Sequence, residues 1–286
     1  FDVPKSEFWR KHSFPFSQLL YMARTGIRGV LVDLSGTLHI GSKPIDGAPA
    51  ALERLLAAGI AVRFVTNTTK KPVLMLAREL HEVGFDTISE PLIFSTPVAA
   101  RTLLQQRGLR PLLLVDPTLL PDFSDFDTTS PNAVVVGLAV SELNYPRLNK
   151  QAFRLLMDGA PLIALHKGRY QREADGGLSL GPGPFVAGLE YAAGVSAEVV
   201  GKPSPGFFHA ALSGIGCQPS EAVMIGDDLA DDVAGAQNAG MRGILVRTGK
   251  YRAGDEESGD VRPDVVCDSF VQAVDWILGG DNTKET

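Results

Sequence analysis

The chain has 286 residues, a formal net charge of -6, 44% hydrophobic residues and 21% charged residues. This length suggests two domains, or one core domain with a large insertion, and the composition is typical of a folded globular protein. Because there is no general basic field and the longest apolar runs are shorter than a bilayer-spanning segment, neither nucleic acid nor a membrane is an expected partner.

The two cysteines, Cys217 and Cys267, form no CxxC pair and have no metal-like spacing to histidine. The sequence therefore predicts neither a disulfide framework nor a structural zinc site, and it favours a reducing compartment, the cytoplasm. Residues 1–25 precede the first regular pattern and are interpreted as an N-terminal extension. Its excess of basic residues leaves two readings, a tail packed on the core or the remnant of an organelle transit peptide.

The first half of the chain alternates strand and helix patterns. The run GVLVDL from Gly29 is typical of a strand buried on both faces of a parallel sheet. A helix is predicted over 48–58, ending before Gly59, and a second strand over 61–66. The next helix is predicted to be capped by Thr68 or Thr69, with Pro72 in its first turn. Parallel neighbouring strands require crossover helices, so this order predicts a doubly wound α/β domain.

The rest of the chain repeats the alternation. Strands are predicted at PLLLVD, AVVVGL and PLIALH, with helices over 145–157 and 185–193 and a glycine-rich turn, DGGLSLGPGP, before the second of them. Closer to the C-terminus, the patterns predict strands over 221–225, 242–247 and 263–267 and helices over 231–239 and 269–278. We expect a Rossmann-like core domain from residues 26–108 and 198–280, an inserted α/β domain from 109–197, and a tail over 281–286.

Four short motifs follow predicted strands or lie in the loops beside them. They are the loop Asp33 to Thr37, the pair Thr66-Asn67, Lys202 in the string GKPSP, and the acids Asp227, Asp228, Asp231 and Asp232. Each has an ordinary structural interpretation, as a turn, a helix cap or acids favoured at a helix N-terminus. Because the carboxyl ends of parallel strands meet at one edge, where open α/β folds bind ligands, we expect the four motifs to form one site.

The acid cluster predicts a metal ion. Four carboxyl groups this close in sequence repel one another unless positive charge lies among them. Mg²⁺ takes oxygen ligands and is usually held by one or two carboxylates together with water and phosphate. The sequence therefore predicts Mg²⁺ as the cofactor.

In order and spacing, the four motifs resemble those of the haloacid dehalogenase-like hydrolase superfamily, and the insertion between Thr66 and Lys202 resembles its type C2 cap. The resemblance implies a phosphatase of small phosphorylated molecules in which Asp33 forms an aspartyl-phosphate. It implies that Asp33, the backbone carbonyl of Ser35 and Asp227 hold Mg²⁺. It places Asp232 in the same metal site, where this acid steadies either the water shell of the ion or Lys202. It also implies that Thr66, Lys202, Gly36, Thr37 and Asn67 bind the phosphate, and that a homodimer through the cap is possible.

Ser35 departs from the family pattern, which has an aspartate two residues after the nucleophile as general acid and base. General acid-base help is worth roughly 10²–10⁴-fold, so we expect slow turnover of alkyl phosphates. Aryl phosphates, pyrophosphate and phosphorus-nitrogen bonds, whose leaving groups depart unaided, are the expected better substrates. The alternative is a weakly active or inactive phosphate-binding regulatory module; a metal-independent dehalogenase is disfavoured by the acids.

Two further groups of residues are candidates for contacts with the leaving group. His39 is the nearest side chain in sequence that could replace the missing acid, although it could equally face solvent. In the predicted cap, His166, Lys167, Arg169 and Tyr170 follow a strand and could bind the substrate. The alternative for this second group is a solvated hairpin.

Overall fold

A computed structural model of the chain describes residues 26–172, 178–257 and 260–279. The predicted N-terminal extension and C-terminal tail therefore lie outside the described residues. The chain divides into two compact units. The first contains the described residues up to Val65, then Arg78–Ile93 and the described residues from Phe208 onward, and the second contains Thr66–Ala77 and Phe94–Phe207. No helix among the described residues is long and apolar enough to cross a bilayer.

Fourteen strands are described in the parts of the chain that the structure covers. In chain order they are β1 Gly29–Asp33, β2 His39–Ile40, β3 Lys43–Pro44, β4 Ala61–Thr66, β5 Ile93–Ser95, β6 Pro111–Leu114, β7 Ala133–Val136, β8 Leu162–Ala164, β9 Tyr170–Arg172, β10 Leu178–Leu180, β11 Glu198–Val199, β12 Ala222–Gly226, β13 Arg242–Val246 and β14 Val265–Cys267.

The helices alternate with these strands. They are α1 Ala48–Ala57, α2 Val73–Glu82, α3 Thr96–Gln106, α4 with a π-helical part Pro146–Phe153 and an α-helical part Arg154–Met157, α5 Gly183–Ala193, α6 Pro205–Ser213, α7 with a π-helical part Leu229–Ala234 and an α-helical part Gly235–Asn238, and α8 Phe270–Ile277. Short 3₁₀ turns lie at Glu90–Leu92, Pro117–Phe123, Pro219–Glu221 and Asp255–Glu257.

The larger sheet has six strands in the order β14-β13-β12-β1-β4-β5. The pairings of β1 with β4 and β12, and of β13 with β12 and β14, are parallel. All five residues of β1 and all five of β12 are buried, as expected for strands covered on both faces.

The chain runs from β1 toward β5 on one side and later returns to β12 on the other. Such a reversal of strand order creates a crevice at the carboxyl ends of the two central strands. The predicted doubly wound α/β class is confirmed.

The second unit has its own sheet of four strands in the order β11-β8-β7-β6, all paired in parallel. Its core contains the fully buried Val134, Val136 and Ala164 from the sheet, packed with Ala152 of α4 and Val186 of α5. The predicted strands at PLLLVD, AVVVGL and PLIALH are confirmed.

Three local predictions were wrong. The string DGGLSLGPGP is not a turn throughout, since Leu178–Leu180 pairs antiparallel with Tyr170–Arg172. Neither Thr68 nor Thr69 caps α2, which begins at Val73 with the Pro72 carbonyl accepting from Met75 and Leu76. The helix predicted over 231–239 begins at Leu229, because the Asp228 side chain accepts hydrogen bonds from the amides of Ala230 and Asp231 and caps it two residues earlier.

Candidate active site

The loop after β1 places a buried carboxylate at the edge of the sheet. Asp33, the last residue of β1, is 6% exposed. The loop closes on itself through hydrogen bonds from the Gly36 amide to the His39 carbonyl and from the Leu38 amide to the Leu34 carbonyl, 2.8 and 2.9 Å long. The buried hydroxyl of Thr37 donates to Asp33 Oδ2 over 3.5 Å. Ser35, in contrast, is exposed.

Two more acids approach Asp33 from the other central strand. Asp227 directly follows β12, and Asp232 lies in the first turn of α7. One carboxylate oxygen from each of Asp33, Asp227 and Asp232 lies within 4.8 Å of the others. Asp227 and Asp232 are each 1% exposed. The predicted meeting of distant acids at one point of the sheet edge therefore occurs in the structure.

These residues fit a hard divalent cation. Three buried carboxylates this close repel one another when ionised, and a cation among them removes that repulsion. Their donor set is all oxygen, as Mg²⁺ prefers. The backbone also packs closely against two of the acids, since a Cβ at Gly36 would collide with Asp227 Oδ2 and one at Gly226 would collide with Asp232.

Asp228 has a different role from its neighbour Asp227. Its Oδ1 caps α7, and its Oδ2 pairs with Lys250 Nζ at 3.1 Å. Although partial burial opposes the charged form, the amides of Asp231 and Ala230 and the charge of Lys250 hold the pKa of Asp228 below its ordinary value. This agrees with its absence from the sequence-predicted metal ligands.

A segment that the sequence motifs did not single out packs against the acids. Thr248 Oγ1 donates to the Gly36 carbonyl over 2.5 Å, and the Lys250 amide donates to Asp227 Oδ2 over 2.7 Å. Between them, Gly249 has a φ of 60°. The sequence motifs gave no signal for this segment, because neither a threonine nor a backbone amide marks a site by residue type.

The second unit brings Asn67 and Lys202 together. The Asn67 side chain accepts from the Lys202 amide over 2.9 Å and donates to the Lys202 carbonyl over 3.0 Å, so it holds the lysine backbone from both sides. Thr66 is buried, and its hydroxyl shares a 2.9 Å hydrogen bond with that of Thr68. Lys202 is 5% exposed. A Cβ at Gly201 would lie 2.7 Å from Asn67 Oδ1, which explains a glycine beside the lysine.

The cap residues predicted to bind substrate have three different surroundings. His166 Nδ1 accepts from the Gly168 amide over 3.1 Å, so the neutral ring carries its proton on Nε2, which lies 3.4 Å from Thr69 Oγ1. Burial lowers the pKa of His166 to about 4. Lys167 pairs with Glu190 at 2.8 Å, and Arg169 is exposed. Of Tyr170, only the backbone is described.

His39, the candidate replacement for the missing acid, bonds within its own hairpin. Its Nδ1 lies 2.8 Å from the Gly41 carbonyl oxygen. In this arrangement the Nδ1 proton is committed to Gly41, so that nitrogen does not deliver a proton to a leaving group.

Comparison with known proteins agrees with this geometry. Residues 30–128 match the family model described as haloacid dehalogenase-like hydrolase, and residues 199–273 match a second one described as HAD-hydrolase-like. The chain is 58% identical over 255 residues to haloacid dehalogenase-like hydrolase domain-containing protein 2 of Bos taurus, covering 89% of this chain and 97% of that protein.

Two further similarities are to proteins named as phosphatases. The chain is 45% identical over 258 residues to phospholysine phosphohistidine inorganic pyrophosphate phosphatase of Danio rerio, covering 88% of this chain and 94% of that one. The crystal structure of 4-nitrophenylphosphatase from Thermotoga maritima superposes with a TM-score of 0.79 at 26% identity, covering 87% of this chain and 97% of that one.

Proposed function

Because the chain belongs to the haloacid dehalogenase-like hydrolase family, we propose that it is a Mg²⁺-dependent phosphatase of small phosphorylated molecules with Asp33 as the nucleophile. The observation that carries this proposal is the meeting of Asp33 with Asp227 and Asp232 at the crevice between the two central strands. Two similar proteins that are named as phosphatases support it.

Asp33 is suited to nucleophilic attack because it ends a rigid, buried strand. In the first step a carboxylate oxygen of Asp33 forms a bond to phosphorus while the bond from phosphorus to the leaving group breaks, and the leaving group takes the electron pair. In the second step water attacks the aspartyl-phosphate, which releases phosphate and restores Asp33. The Thr37 hydroxyl, which donates to Oδ2, orients the carboxylate for both steps.

Asp33, Asp227, Asp232 and the Ser35 carbonyl would hold Mg²⁺. When bound, the ion supplies positive charge between an anionic nucleophile and an anionic phosphate. By family resemblance we also assign phosphate binding to Lys202 and Thr66, whose ammonium and hydroxyl groups would bind nonbridging oxygens. The role of Asn67 is then to hold the backbone of Lys202 in place, because both polar atoms of its side chain bond to that residue.

The residue at position 35 limits the substrates. A serine hydroxyl does not protonate an alkoxide leaving group at neutral pH. The Nδ1 proton of His39 is bonded to the Gly41 carbonyl, and burial lowers the pKa of His166 to about 4, so that its ring is neutral at this pH. We therefore propose a preference for leaving groups that depart unaided, such as those of aryl phosphates, pyrophosphate or phosphorus-nitrogen bonds.

The proposal is tested with p-nitrophenyl phosphate, with and without EDTA. We expect Mg²⁺-dependent release of phosphate that Asp33→Asn abolishes, because the amide is a poor nucleophile. Asp228→Asn, which keeps an acceptor for the helix cap, is the matched control and is expected to retain activity. Equal release by the original protein and Asp33→Asn would contradict the proposal.

A second candidate function is a phosphate-binding regulatory module with little or no turnover, and the specific observation in its favour is Ser35. Such a module would bind inorganic phosphate, and the original protein and Asp33→Asn would not differ in their release of phosphate from p-nitrophenyl phosphate. The comparison of these two proteins therefore distinguishes the two candidate functions.

A further inference from the structure

We propose that the segment Thr248 to Lys250, which we call the TGK segment, positions Asp227 for metal binding and joins it to the nucleophile loop. This inference rests on the proposed function, since it concerns the same metal site. The segment lies in the first unit, separated by one residue from the end of β13, which pairs with β12, and so its place is set by the central sheet.

The first step concerns the orientation of Asp227. The Lys250 amide donates to Asp227 Oδ2 over 2.7 Å. A hydrogen bond from a backbone amide to a carboxylate is charge-assisted and short, and it restricts rotation of the carboxylate plane. The amide belongs to the backbone, so this contact depends on the path of the segment rather than on the lysine side chain.

The second step concerns the link to the nucleophile loop. Thr248 Oγ1 donates to the Gly36 carbonyl over 2.5 Å, across 212 positions of sequence. Gly36 lies between Ser35, whose carbonyl is a proposed ligand, and Thr37, which donates to Asp33. The Thr248 hydroxyl thus holds the loop that carries Asp33 against the segment that holds Asp227.

The third step concerns space. Gly36 and Gly249 have φ values of 99° and 60°, which favour glycine. A Cβ at Gly249 would collide with Asp227 Oδ2 and would lie 2.5 Å from the Gly36 Cα. The two loops and the acid are therefore in direct contact, and no side chain separates them. A side chain at position 249 must therefore displace either Asp227 or the nucleophile loop.

Removal of a group that orients a metal ligand without contacting the metal typically weakens metal binding by 10–100-fold. Thr248→Val keeps the shape of the side chain and removes only its hydroxyl. We expect this variant to bind Mg²⁺ at least about tenfold more weakly than the original protein. Thr248→Ser restores the hydroxyl and is expected to bind within about twofold of the original protein.

The experiment is isothermal titration of EDTA-treated, dialysed protein with Mg²⁺, in the absence of substrate. The matched surface control is Arg252→Ala, which removes an exposed side chain two residues beyond the segment. Hydrolysis of p-nitrophenyl phosphate is measured beside it as a function of Mg²⁺, and the activation constant of Thr248→Val is expected to rise by the same factor as its dissociation constant. Unchanged Mg²⁺ affinity in Thr248→Val would overturn the inference.

A second measurement needs no variant and covers the case in which Thr248→Val does not fold. Hydrogen exchange of the unmodified protein is followed at the Lys250 amide, which is expected to be protected because it is bonded to Asp227. Exchange at the rate of a free loop amide would overturn the inference.

The failure of this inference and the failure of the proposed function give different results. If the unmodified protein neither binds Mg²⁺ nor hydrolyses the aryl phosphate, the proposed function fails. If it does both and Thr248→Val binds Mg²⁺ equally well, only the role of the TGK segment fails.

Discussion

At the scale of single residues, side chains that are adjacent in sequence have separate roles because their surroundings differ. Asp227 faces Asp33 and Asp232, whereas the next residue, Asp228, caps a helix and pairs with Lys250. Asn67 and Thr66 are also adjacent, yet the first holds the Lys202 backbone and the second bonds to Thr68. Residue type therefore identifies the candidates for a site, and contacts assign their roles.

Position 35 gives a prediction about the substrate. Ser35→Asp adds a carboxyl group that can carry a proton to the leaving group, and Ser35 is exposed, so the larger side chain has room. We expect kcat/KM for a sugar phosphate to rise by about tenfold or more, with a smaller gain for p-nitrophenyl phosphate. Ser35→Asn, which matches the size without the acid, should show no such gain. Equal gains for both substrates would contradict the leaving-group argument.

His166 gives a prediction about pH. Its folded-state pKa of about 4 is below the ordinary value near 6.5, because burial disfavours the charged ring. Above pH 6.5 the ring is neutral whether or not the chain is folded. Between pH 6.5 and 4 the unfolded chain takes up a proton that the folded one does not, so stability falls as pH falls, by up to about 3 kcal/mol.

His166→Gln removes this titration and keeps a donor toward Thr69. The measurement is the free energy of unfolding by urea at pH 7 and pH 4.5. We expect the original protein to lose more stability between the two than His166→Gln, while the carboxyl groups shared by both proteins contribute equally. Parallel losses would show that the ring is protonated in the folded protein.

At the scale of elements, the ends of strands and helices put the acids where they are. β1 and β12 are adjacent and parallel, so Asp33 and Asp227 leave the sheet at the same edge. The first turn of α7 then directs Asp232 back toward them, with its Oδ2 accepting from the Asp228 amide over 3.1 Å. The start of α7 is therefore part of the metal site's geometry.

The cap of α7 can be tested by its stability. Asp228→Ala removes the side-chain acceptor for the amides of Ala230 and Asp231, and the expected loss is about 1–2 kcal/mol in the free energy of unfolding. Asp228→Asn retains the acceptor and is expected to lose less than half as much. Chemical denaturation at pH 7 without Mg²⁺ measures both. A loss in Asp228→Asn as large as that in Asp228→Ala would assign the effect to the ion pair with Lys250 instead.

At the scale of the whole molecule, the repulsion between three buried carboxylates destabilises the folded chain, and a bound cation removes that repulsion. Asp33, Asp227 and Asp232 are separated by up to 199 positions in sequence, so they are brought together only on folding. A ligand that binds only the folded state raises its stability in proportion to the logarithm of its concentration.

Mg²⁺ is therefore expected to raise the melting temperature of the original protein. At a Mg²⁺ concentration of a hundred times the dissociation constant, the free energy of unfolding should rise by about 2.7 kcal/mol. Thermal unfolding with EDTA and with increasing Mg²⁺ measures this shift. Asp227→Asn removes one charge and its repulsion with Asp33 and Asp232, so in EDTA this variant should melt no lower than the original protein, and Mg²⁺ should raise its melting temperature less. An equal shift in both proteins would place the bound ion elsewhere.

The sequence by itself determined the alternation of strands and helices, the buried central strand before Asp33 and the acids after β12, because these follow from local periodicity and from the rule that parallel strands end at one edge. The first residue of a helix was harder to predict from the sequence, since α7 begins where Asp228 caps it rather than where its apolar pattern begins.

Only the tertiary structure decided which hydrogen bonds hold the acids and the lysine in place. The TGK segment contacts a carbonyl 212 positions away and an acid 23 positions away, and Asn67 bonds to a lysine 135 positions later. Such contacts use backbone atoms, which every residue has, and so no residue pattern marks them. They depend on close packing of loops from separate strands, which exists only once the sheet has formed.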